Sequence, residues 1–338
     1  MIKAILRTLL PKSLYGALKR IKNNIKDGID RLILEGAYFF IKLISRRNGA
    51  WPFLFREFEK KGIHILPLRQ DSPVPDTREL LQNRHLWYKE ADLSALNFNM
   101  QEQVRLHHSF LAFQNEFKFL PAFPELVFSG FTSDFDKIDA LILHCFIRSF
   151  KPGVVIEIGP GIPTFFSGAA LRLNRREGKD SRLICIEPNQ AQKLRSNIPF
   201  IHDVVEKKVQ EVGKEFFQQL NENDILFIDS SHAVKIGSEA NYLIVEILPA
   251  LKKGVLVHLH QIPFPYTFPY PDSLIFERLA FWQEAALLLA FLTNNNAFEI
   301  LYCSSYLHGK EPALLKKVFP SYDAATHFPS SIWLRKIL

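Results

Sequence analysis

Residues 134–338 alternate helical patterns with short runs of β-branched residues, and this alternation limits the fold more than any other feature of the chain. Seven runs are predicted to be strands, and a long helix is predicted over "LIFERLAFWQEAALLLAFLTN". Consecutive parallel strands need a crossover connection, which is usually a helix. The pattern therefore predicts an α/β domain with a mainly parallel sheet. The predicted strands are "GVVIEIG", "SRLICIE", "HDVVEKKV", "DILFID", "GVLVHLH", "AFEILYCSSYL" and "SIWLRKIL".

The distribution of charge separates the beginning of the chain from the rest. The net charge of the 338 residues is +7, but residues 1–48 contain 11 Lys or Arg and 3 Asp or Glu, which gives +8 there and −1 elsewhere. Apolar residues recur at helical spacing in this segment, although Pro11 should interrupt the helix. We predict a basic amphipathic helical segment over 1–48, a helical and loop cover region over 49–132, and the α/β domain over 133–338.

Two interpretations of residues 1–48 stay open. In the first, the segment is a basic amphipathic helix that contacts an anionic membrane surface. In the second, it is a helical hairpin that packs on its own domain or on a partner protomer, as in a homo-oligomer. The segment lacks the roughly 20 apolar residues needed to cross a bilayer, because Lys42 interrupts "LEGAYFFIKLI".

The cysteines and the first residues indicate the compartment. Cys145, Cys185 and Cys303 are far apart and form no CxxC pair, which argues against a disulfide framework and against a structural zinc site. No compact apolar region precedes a small-residue cleavage site, so no secretory signal is predicted. Because the basic excess is confined to residues 1–48, no nucleic-acid partner is expected. We predict a cytoplasmic protein, with peripheral membrane contact as the open alternative.

The first predicted strand ends in a glycine-rich loop, "VVIEIGPGIPTFF". Gly159 and Gly161 let backbone amides approach a ligand, and the N-terminus of the following helix favours negative charge. A dinucleotide fingerprint, G-x-G-x-x-G, would need glycine in place of Thr164, which weakens the assignment of NAD. Glu157 precedes the loop, where a buried carboxylate needs hydrogen bonds from loop amides or from a cationic or amine-bearing ligand.

Glu187 ends the second predicted strand in "LICIEPN". Its carboxylate can accept hydrogen bonds from two neighbouring ribose hydroxyls. An acidic residue at this place is shared by proteins that bind NAD and by proteins that bind S-adenosylmethionine. The combination of Glu187 with Glu157 favours S-adenosylmethionine as the cofactor.

Polar residues follow the fourth and fifth predicted strands. Asp229, Ser230 and His232 come at the end of "DILFID", where side chains of this kind serve no packing purpose. Methyl transfer to a hydroxyl needs a base that removes its proton, and histidine has a suitable pKa. Because His260 ends the next strand, we predict that Asp229, His232 and His260 converge on one pocket as catalytic residues. His258, one step deeper in that strand, is predicted to be a core histidine.

Several segments, in the same order, resemble the class I S-adenosylmethionine-dependent methyltransferases. Within that family the chain is most similar to a bacterial branch whose first loop reads E-I-G-S-G-x-S-T and whose fourth strand ends D-S-S-H. The resemblance covers residues 133–338 and implies a Rossmann-like, seven-stranded sheet with the last strand antiparallel. The segments that carry it are "VVIEIGPGIPT", "LICIEPN", "VVEKKVQEV", "DILFIDSSHAVKIGSEANYLIVEILPALKKGVLVHLHQI" and "FWQEAALLLAFL".

The resemblance also implies roles for individual residues. The two glycines of the first loop, together with Thr164, would line the methionyl part of the cofactor. Glu187 would hold the ribose, and Gln210 would lie near the adenine. The residues predicted to bind the cofactor are Glu157, Gly159, Gly161, Thr164, Glu187, Gln210, Asp229 and Ser230.

A divalent metal ion would be a competing use of the same pocket. Asp229 is the kind of carboxylate that Mg²⁺ prefers. In the resembled family the fifth strand commonly ends H-D-I, whereas this chain has His260, Gln261 and Ile262. An amide oxygen is a weaker ligand than a carboxylate, so we predict no metal site. We expect the neutral side chain of Gln261 to determine whether the pocket can bind a metal ion.

The predicted function is O-methylation of a small-molecule or glycan-like acceptor, with His232 or His260 as general base. Aromatic residues after the fifth strand suit a ring or sugar, although they would equally suit a hydrophobic lid or a dimer contact. These aromatic residues are Phe264, Tyr266, Phe268, Tyr270 and Trp282.

Two other functions remain as alternatives. One is a catalytically silent protein with a cofactor fold, which binds a membrane or a partner through its basic N-terminal helices. The other is a nicotinamide-dependent sugar-modifying enzyme. This second alternative is disfavoured by Thr164 and by the want of an obvious Tyr-x-x-x-Lys pair for hydride chemistry.

Overall fold

The computed structural model describes residues 12–47, 49–121, 135–198 and 200–338, with the backbone alone for 12–25. The chain divides between Asp76 and Thr77 into two units. This division falls inside the predicted cover region, and the predicted borders at 48 and 132 stay predictions. Pro11, where a helix break was expected, lies outside the described residues.

The described residues of the first unit form two helices, α1 (Lys12–Ser45) and α2 (Ala50–Glu59). Helix α1 has 34 residues and is therefore about 50 Å long at 1.5 Å per residue. No turn divides it between its first and last residues. Within the described part of the chain, none of the helices combines the length and the apolar character that crossing a membrane requires.

The second unit contains the sheet and the helices around it. Its 3₁₀ helices cover Phe110–Phe119 and Val209–Glu211, and its π-helical turns cover Tyr242–Ile247 and Asp272–Glu277. The α-helices are α3 (Thr77–Gln82), α4 (Arg84–Trp87), α5 (Met100–Ser109), α6 (Lys137–Phe150), α7 (Ile162–Arg176), α8 (Ala191–Asn197), α9 (Lys214–Phe217), α10 (Glu239–Asn241), α11 (Leu248–Ala250), α12 (Glu284–Leu292), α13 (Ser304–Lys310) and α14 (Pro312–Val318).

Seven strands form one sheet in the order β3-β2-β1-β4-β5-β7-β6. The strands from β1 to β5 pair in parallel, and β7 is antiparallel to both β5 and β6. The predicted fold class is confirmed, including the antiparallel last strand. Strand order reverses between β1 and β4, and ligands bind at such a point in open α/β sheets. The strands are β1 (Val154–Ile158), β2 (Arg182–Ile186), β3 (Asp203–Val205), β4 (Ile225–Ile228), β5 (Leu256–Leu259), β6 (Phe298–Cys303) and β7 (Ile332–Lys336).

The central strands are buried on both faces, which explains why they are continuous apolar runs in the sequence. Every residue of β1, β4 and β5 is buried. Helices α6 and α7 cover one face, where Phe146 stacks on Trp333 with ring centroids 3.8 Å apart. The π-helical turn at Tyr242–Ile247 and helix α12 cover the other face. Polar side chains can therefore reach a cavity at the carboxyl edge of the sheet, where the strands end.

The long helix predicted over "LIFERLAFWQEAALLLAFLTN" is wrong in its middle. The chain leaves helical geometry at residues 278–283 and begins α12 at Glu284. Leu279 adopts a left-handed conformation with φ 54°, and the backbone N–H of Gln283 donates to the carbonyl of His232 at 3.1 Å. The interrupted stretch contains neither glycine nor proline, and its contact with the loop after β4 lies where α12 begins, since the His232 carbonyl also accepts the N–H of Glu284.

The segment "MQEQVRLHHSFLAFQNEF" forms α5 and most of the 3₁₀ helix that follows it. His107 of α5 hydrogen-bonds through Nδ1 to the Tyr302 hydroxyl and through Nε2 to the Leu314 carbonyl, at 2.8 and 2.9 Å. These contacts hold α5 against β6 and α14. The predicted strand "AFEILYCSSYL" is also too long, since α13 begins at Ser304.

Candidate active site

The loop after β1 lies directly against the end of β4. Gly159 has φ 75°, and a Cβ atom at this position would lie 1.9 Å from the Asp229 carbonyl oxygen. The backbone N–H of Asp229 donates to the Ile158 carbonyl at 3.0 Å and fixes this approach. Only glycine allows both the left-handed conformation and the close contact.

Glu157 and Thr164 support this loop through buried hydrogen bonds. Both are fully buried, and the Thr164 hydroxyl donates to Glu157 Oε1 at 2.7 Å while it accepts from the Gly161 N–H at 2.9 Å. Burial raises the pKa of Glu157 to about 8, against the lowering effect of the Thr164 hydrogen bond. Glu157 and Thr164 line neither of the two cavities described next. Their position is that of a loop support, and their predicted role in cofactor binding stays a prediction.

A cavity of about 410 Å³, here called the Glu187 cavity, opens across the ends of β1, β2 and β4. Glu187 Oε1 accepts hydrogen bonds from the N–H groups of Asn189 and Gln190 at 2.7 and 3.2 Å. Gln210 donates through Nε2 to the Gly237 carbonyl at 2.8 Å. The structure thus brings five predicted residues to one cavity. They are Gly159, Glu187, Gln210, Asp229 and Ser230.

A second cavity of about 270 Å³, here called the His260 cavity, adjoins the first. The two cavities share Gly159, Asp229, Ser230 and Ser231 as a common wall. The three predicted catalytic residues therefore meet at one place, with Asp229 bordering both cavities. The other residues that line the His260 cavity are Phe135, Pro160, Gly161, Ile162, Pro163, His232, His260, Gln261 and Trp282.

His232, Glu284 and Asp229 form a buried charged group after β4. His232 Nδ1 lies 2.7 Å from Glu284 Oε2, and His232 Nε2 lies 3.5 Å from Asp229 Oδ1. The Ser230 hydroxyl donates to Glu284 Oε1 at 2.9 Å. Burial by itself would lower the pKa of His232, but the interactions with Asp229 and Glu284 outweigh it and raise the pKa to about 9. The two carboxylates therefore favour the protonated form of His232.

His260 follows β5 with the carboxyl group of Asp139 beside it. His260 Nδ1 lies 3.9 Å from Asp139 Oδ2, and the imidazole stacks on Phe135 at 4.2 Å between ring centroids. Asp139 accepts hydrogen bonds from the hydroxyls of Ser304 and Ser331 at 2.8 and 2.6 Å. Burial raises the pKa of Asp139 above its usual range. These contacts fix the Asp139 carboxyl beside the imidazole.

His258 occupies the core of the sheet. It is fully buried, and it stacks on Phe227 with ring centroids 4.2 Å apart and interplanar angle 5°. Within the described residues neither of its ring nitrogens has a hydrogen-bond partner. Burial, and then the nearby His260, lower the pKa of His258 well below the usual range, so its ring is neutral. It lines neither cavity, in agreement with its prediction as a core histidine.

The aromatic segment after β5 contributes less to the His260 cavity than its composition suggests. Trp282 lines that cavity, and Tyr270 lines a neighbouring cavity of about 360 Å³. The other three predicted aromatic residues instead pack against Trp87, Tyr88 and Phe98. Most of the segment is therefore a packed aromatic layer, and its contact with an acceptor stays a prediction. The three packed residues are Phe264, Tyr266 and Phe268.

Gln261 lines the His260 cavity, at the position where the resembled family commonly has an aspartate. It is buried and adopts a left-handed backbone with φ 58°. In the described ranges no three or more His, Cys, Asp or Glu side chains are grouped so that they could hold a metal ion. The dependence on a metal stays a prediction.

Comparisons with known proteins find a match to a methyltransferase-domain model over this part of the chain. Residues 156–262 match the methyltransferase-domain family, less than half of the chain but a range that includes every predicted site residue. An uncharacterized protein of Archaeoglobus fulgidus is 27% identical over 164 residues, which cover 46% of this chain and 72% of that protein.

Two solved structures have a more distant likeness. An O-methyltransferase from Bacillus cereus in complex with SAH is 11% identical, with a TM-score of 0.37, over 69% of this chain and 91% of that one. The apo structure of CmcI is 14% identical, with a TM-score of 0.36, over 60% of this chain and 72% of that one. At these scores neither structure carries an argument about function.

Proposed function

We propose that this chain is an S-adenosylmethionine-dependent methyltransferase that acts on an oxygen atom of a small-molecule or glycan-like acceptor. The observation that carries the proposal is the pair of adjoining cavities at the carboxyl edge of the sheet, with Gly159, Asp229, Ser230 and Ser231 as their common wall. Two ligands in these cavities would meet at that wall. The methyltransferase-domain match over residues 156–262 supports the same class of reaction.

The polar groups of the Glu187 cavity fit the methyl donor. Glu187 ends β2 with its carboxylate fixed by two loop amides, and one carboxylate can accept from two ribose hydroxyls. Gln210 lies on the same wall and offers an amide for the adenine. Asp229 places a carboxylate at the wall between the cavities, which favours a cationic ligand there. When bound, S-adenosylmethionine supplies a methyl group on a positively charged sulfur atom.

The His260 cavity fits the acceptor. Phe135 and Trp282 contribute aromatic walls, which suit a ring or a sugar. His260, Gln261 and Ser231 contribute polar groups that can hydrogen-bond a hydroxyl and fix its orientation. A volume of about 270 Å³ admits a small ring-bearing molecule or the end of a longer glycan.

His260 is the general base in this proposal. Asp229 and Glu284 raise the pKa of His232 to about 9. At neutral pH its imidazole therefore already carries the proton that a general base would have to accept. His260 lines the His260 cavity, and when His260 takes a proton, the Asp139 carboxyl 3.9 Å from its Nδ1 would stabilise the imidazolium in its ionised form, which the new positive charge favours. The role of His232 is then to place a fixed positive charge beside Asp229.

A label-transfer assay tests the proposed function. The full-length protein is incubated with S-adenosylmethionine that carries a labelled methyl group, together with ring-bearing alcohols, oligosaccharides and a small-molecule cell extract. We expect the label to appear in an acceptor together with S-adenosylhomocysteine. Retained cofactor binding with no labelled product in any of these mixtures would favour the silent-protein alternative.

Substitution of Gly159 is expected to weaken cofactor binding. In Gly159→Ala the new Cβ would lie 1.9 Å from the Asp229 carbonyl, so the loop must move away from the end of β4. The left-handed backbone and the displaced loop together cost on the order of 1 to 3 kcal/mol. We expect about tenfold weaker binding of S-adenosylhomocysteine by calorimetry.

Gly178→Ala is the matched control for this substitution. Gly178 also has a left-handed backbone, with φ 85°, but its Cβ would meet nothing within 4 Å, and it lines neither cavity. The control is expected to lower stability without changing cofactor affinity. Equal affinity in the two variants would show that the approach of the loop to β4 does not shape the cofactor site.

Methyl transfer is expected to continue in the presence of EDTA. Gln261 stands where a carboxylate ligand would strengthen a metal site, and the amide is a weaker ligand for Mg²⁺. The labelled-methyl assay after dialysis against EDTA measures this directly. Complete loss of transfer, restored by added Mg²⁺, would contradict the assignment of proton removal to His260 without a metal.

A further inference from the structure

Helix α1 exposes large apolar side chains along one face. Their exposed fractions run from 51% for Leu43 to 75% for Leu32. Exposed apolar surface of this extent marks a place that binds another apolar surface. We call the following six residues the apolar stripe: Ile29, Leu32, Ile33, Phe39, Phe40 and Leu43.

The spacing of the apolar stripe suits a straight helix on a flat surface. Its members are three, four or seven residues apart, with Gly36 at the intervening position, and this spacing puts them on one side of α1. In the sequence the same steps continue backwards through Ile25, Ile21, Leu18 and Leu14. With Gly36 counted as one position, eight steps of three or four residues lead from Leu14 to Leu43 and average about 3.6 residues, the period of a straight helix, whereas a two-stranded coiled coil needs 3.5. The spacing therefore favours a flat surface over pairing with a second copy of the chain.

The charges around the apolar stripe complement an anionic surface. Residues 1–26 contain seven Lys or Arg and no Asp or Glu. Lys26, Arg31 and Lys42 fall at helical positions outside the apolar stripe, as do the three acidic residues of α1. Basic residues close to a bilayer that contains anionic lipids attract it electrostatically, and each one adds to the affinity.

We propose that α1 lies flat on an anionic lipid bilayer, with the apolar stripe buried at the boundary between headgroups and acyl chains. Helices with an apolar face of this width and a basic polar face bind in that plane. In the part of the chain that the structure describes, no helix meets the requirements for crossing a membrane, so α1 lies on the bilayer instead of passing through it. Phe39 and Phe40 supply the bulky side chains that anchor such a face.

Flotation of the full-length protein with lipid vesicles tests the proposal. The wild-type protein is expected to float with vesicles of phosphatidylcholine and phosphatidylglycerol, and at least about tenfold less with phosphatidylcholine alone. The double substitution Leu32→Gln with Phe39→Gln places two polar groups in the apolar stripe. It is expected to lower the bound fraction at least about tenfold.

Leu34→Gln with Tyr38→Gln is the matched control. Leu34 and Tyr38 are 66% and 58% exposed, but their positions lie on the other side of α1. This variant is expected to float like the wild type, and circular dichroism checks that both variants keep the helix. Equal flotation of the stripe variant and the wild type, or equal loss in both double variants, would overturn the proposal. If the protein does not float but forms a dimer that the stripe substitutions disrupt, the proposal is overturned, and the partner of the apolar stripe is a second copy of the chain.

Discussion

His260→Asn is expected to lower the rate of methyl transfer by about 10²- to 10⁴-fold while leaving the affinity for S-adenosylmethionine unchanged. The loss is expected to be large because His260 is the proposed base and lines the His260 cavity, whereas the neighbouring carboxylates raise the pKa of His232 and favour its protonated form. Asparagine keeps a polar side chain of similar reach but cannot take the proton. Single-turnover label transfer with saturating cofactor, together with calorimetry, separates the chemical step from binding.

His258→Phe is the control for His260→Asn. His258 lies on the same strand and face, but it is buried among aromatic rings and lines neither cavity. Phenylalanine can keep the stacking on Phe227 and removes two buried ring nitrogens that have no partner in the described residues. The control is expected to transfer methyl groups at the wild-type rate. An unchanged rate in His260→Asn would show that the base is a different residue.

Glu284→Gln is expected to lower the free energy of unfolding by about 3 kcal/mol at pH 7. Glu284 is 2% exposed, and its carboxylate lies 2.7 Å from the His232 imidazolium. Removal of one partner from a buried ion pair leaves a desolvated charge, which typically costs about 3 to 5 kcal/mol. Asp229 remains beside His232 and should keep the cost near the lower end. Urea denaturation of wild type and variant measures the difference.

The same ion pairs should make the stability of the wild-type protein depend on pH. The pKa of His232 is raised from 6.5 to about 9, so its contribution is fully present below pH 6.5 and is lost as the pH rises through 9. In Glu284→Gln this decline should be smaller. Glu299→Gln is the control, since the Glu299 pair with Arg335 is partly exposed and worth at most about 1 kcal/mol. Equal unfolding free energies for the two variants would contradict the buried charge group.

The fold could be predicted from the sequence because its signals are local. The β-branched runs, the helical spacing between them and the glycine-rich loop each indicate an element without reference to distant residues. Gly159 is such a signal, since a glycine between a strand and a helix already indicates a tight turn. The confirmed sheet follows from that pattern.

The details that could not be predicted depend on distant contacts. Nothing in "RLAFWQ" interrupts a helical pattern, yet the chain leaves helical geometry there, and the carbonyl of His232 accepts the N–H of Gln283 where α12 begins. Glu284 and Asp139 were missed for the same reason, because their partners are far away in the sequence. Both are isolated acidic residues in apolar helical stretches, "QEAALLLAFL" and "KIDALILHCF", and this is a signal that could have marked them as buried partners.

The two histidines of "GVLVHLHQI" show which features of their positions the sequence predicts and which only the structure shows. Their two-residue spacing puts both rings on one face of β5, and the sequence alone indicates that His260 lies closer to the strand end. Only the structure shows that His258 stacks on Phe227 in the core while His260 borders a cavity with Asp139 beside it. The pKa of His232 likewise depends on Glu284, 52 residues away along the chain.

Binding of S-adenosylmethionine in the Glu187 cavity is tested most directly by calorimetric titration. The wild-type protein is titrated with S-adenosylmethionine, S-adenosylhomocysteine and NAD, and the titrations are repeated on Glu187→Ala. As a control, Glu206→Ala removes a carboxylate that follows β3 and pairs with Arg195 outside the cavity.

We predict that both sulfur compounds bind the wild type and Glu206→Ala alike. Binding to Glu187→Ala should be roughly 10- to 100-fold weaker, because hydrogen bonds to a charged group contribute about 1.5 to 3 kcal/mol. Tight binding of NAD with no binding of either sulfur compound would contradict the proposal that the Glu187 cavity binds S-adenosylmethionine.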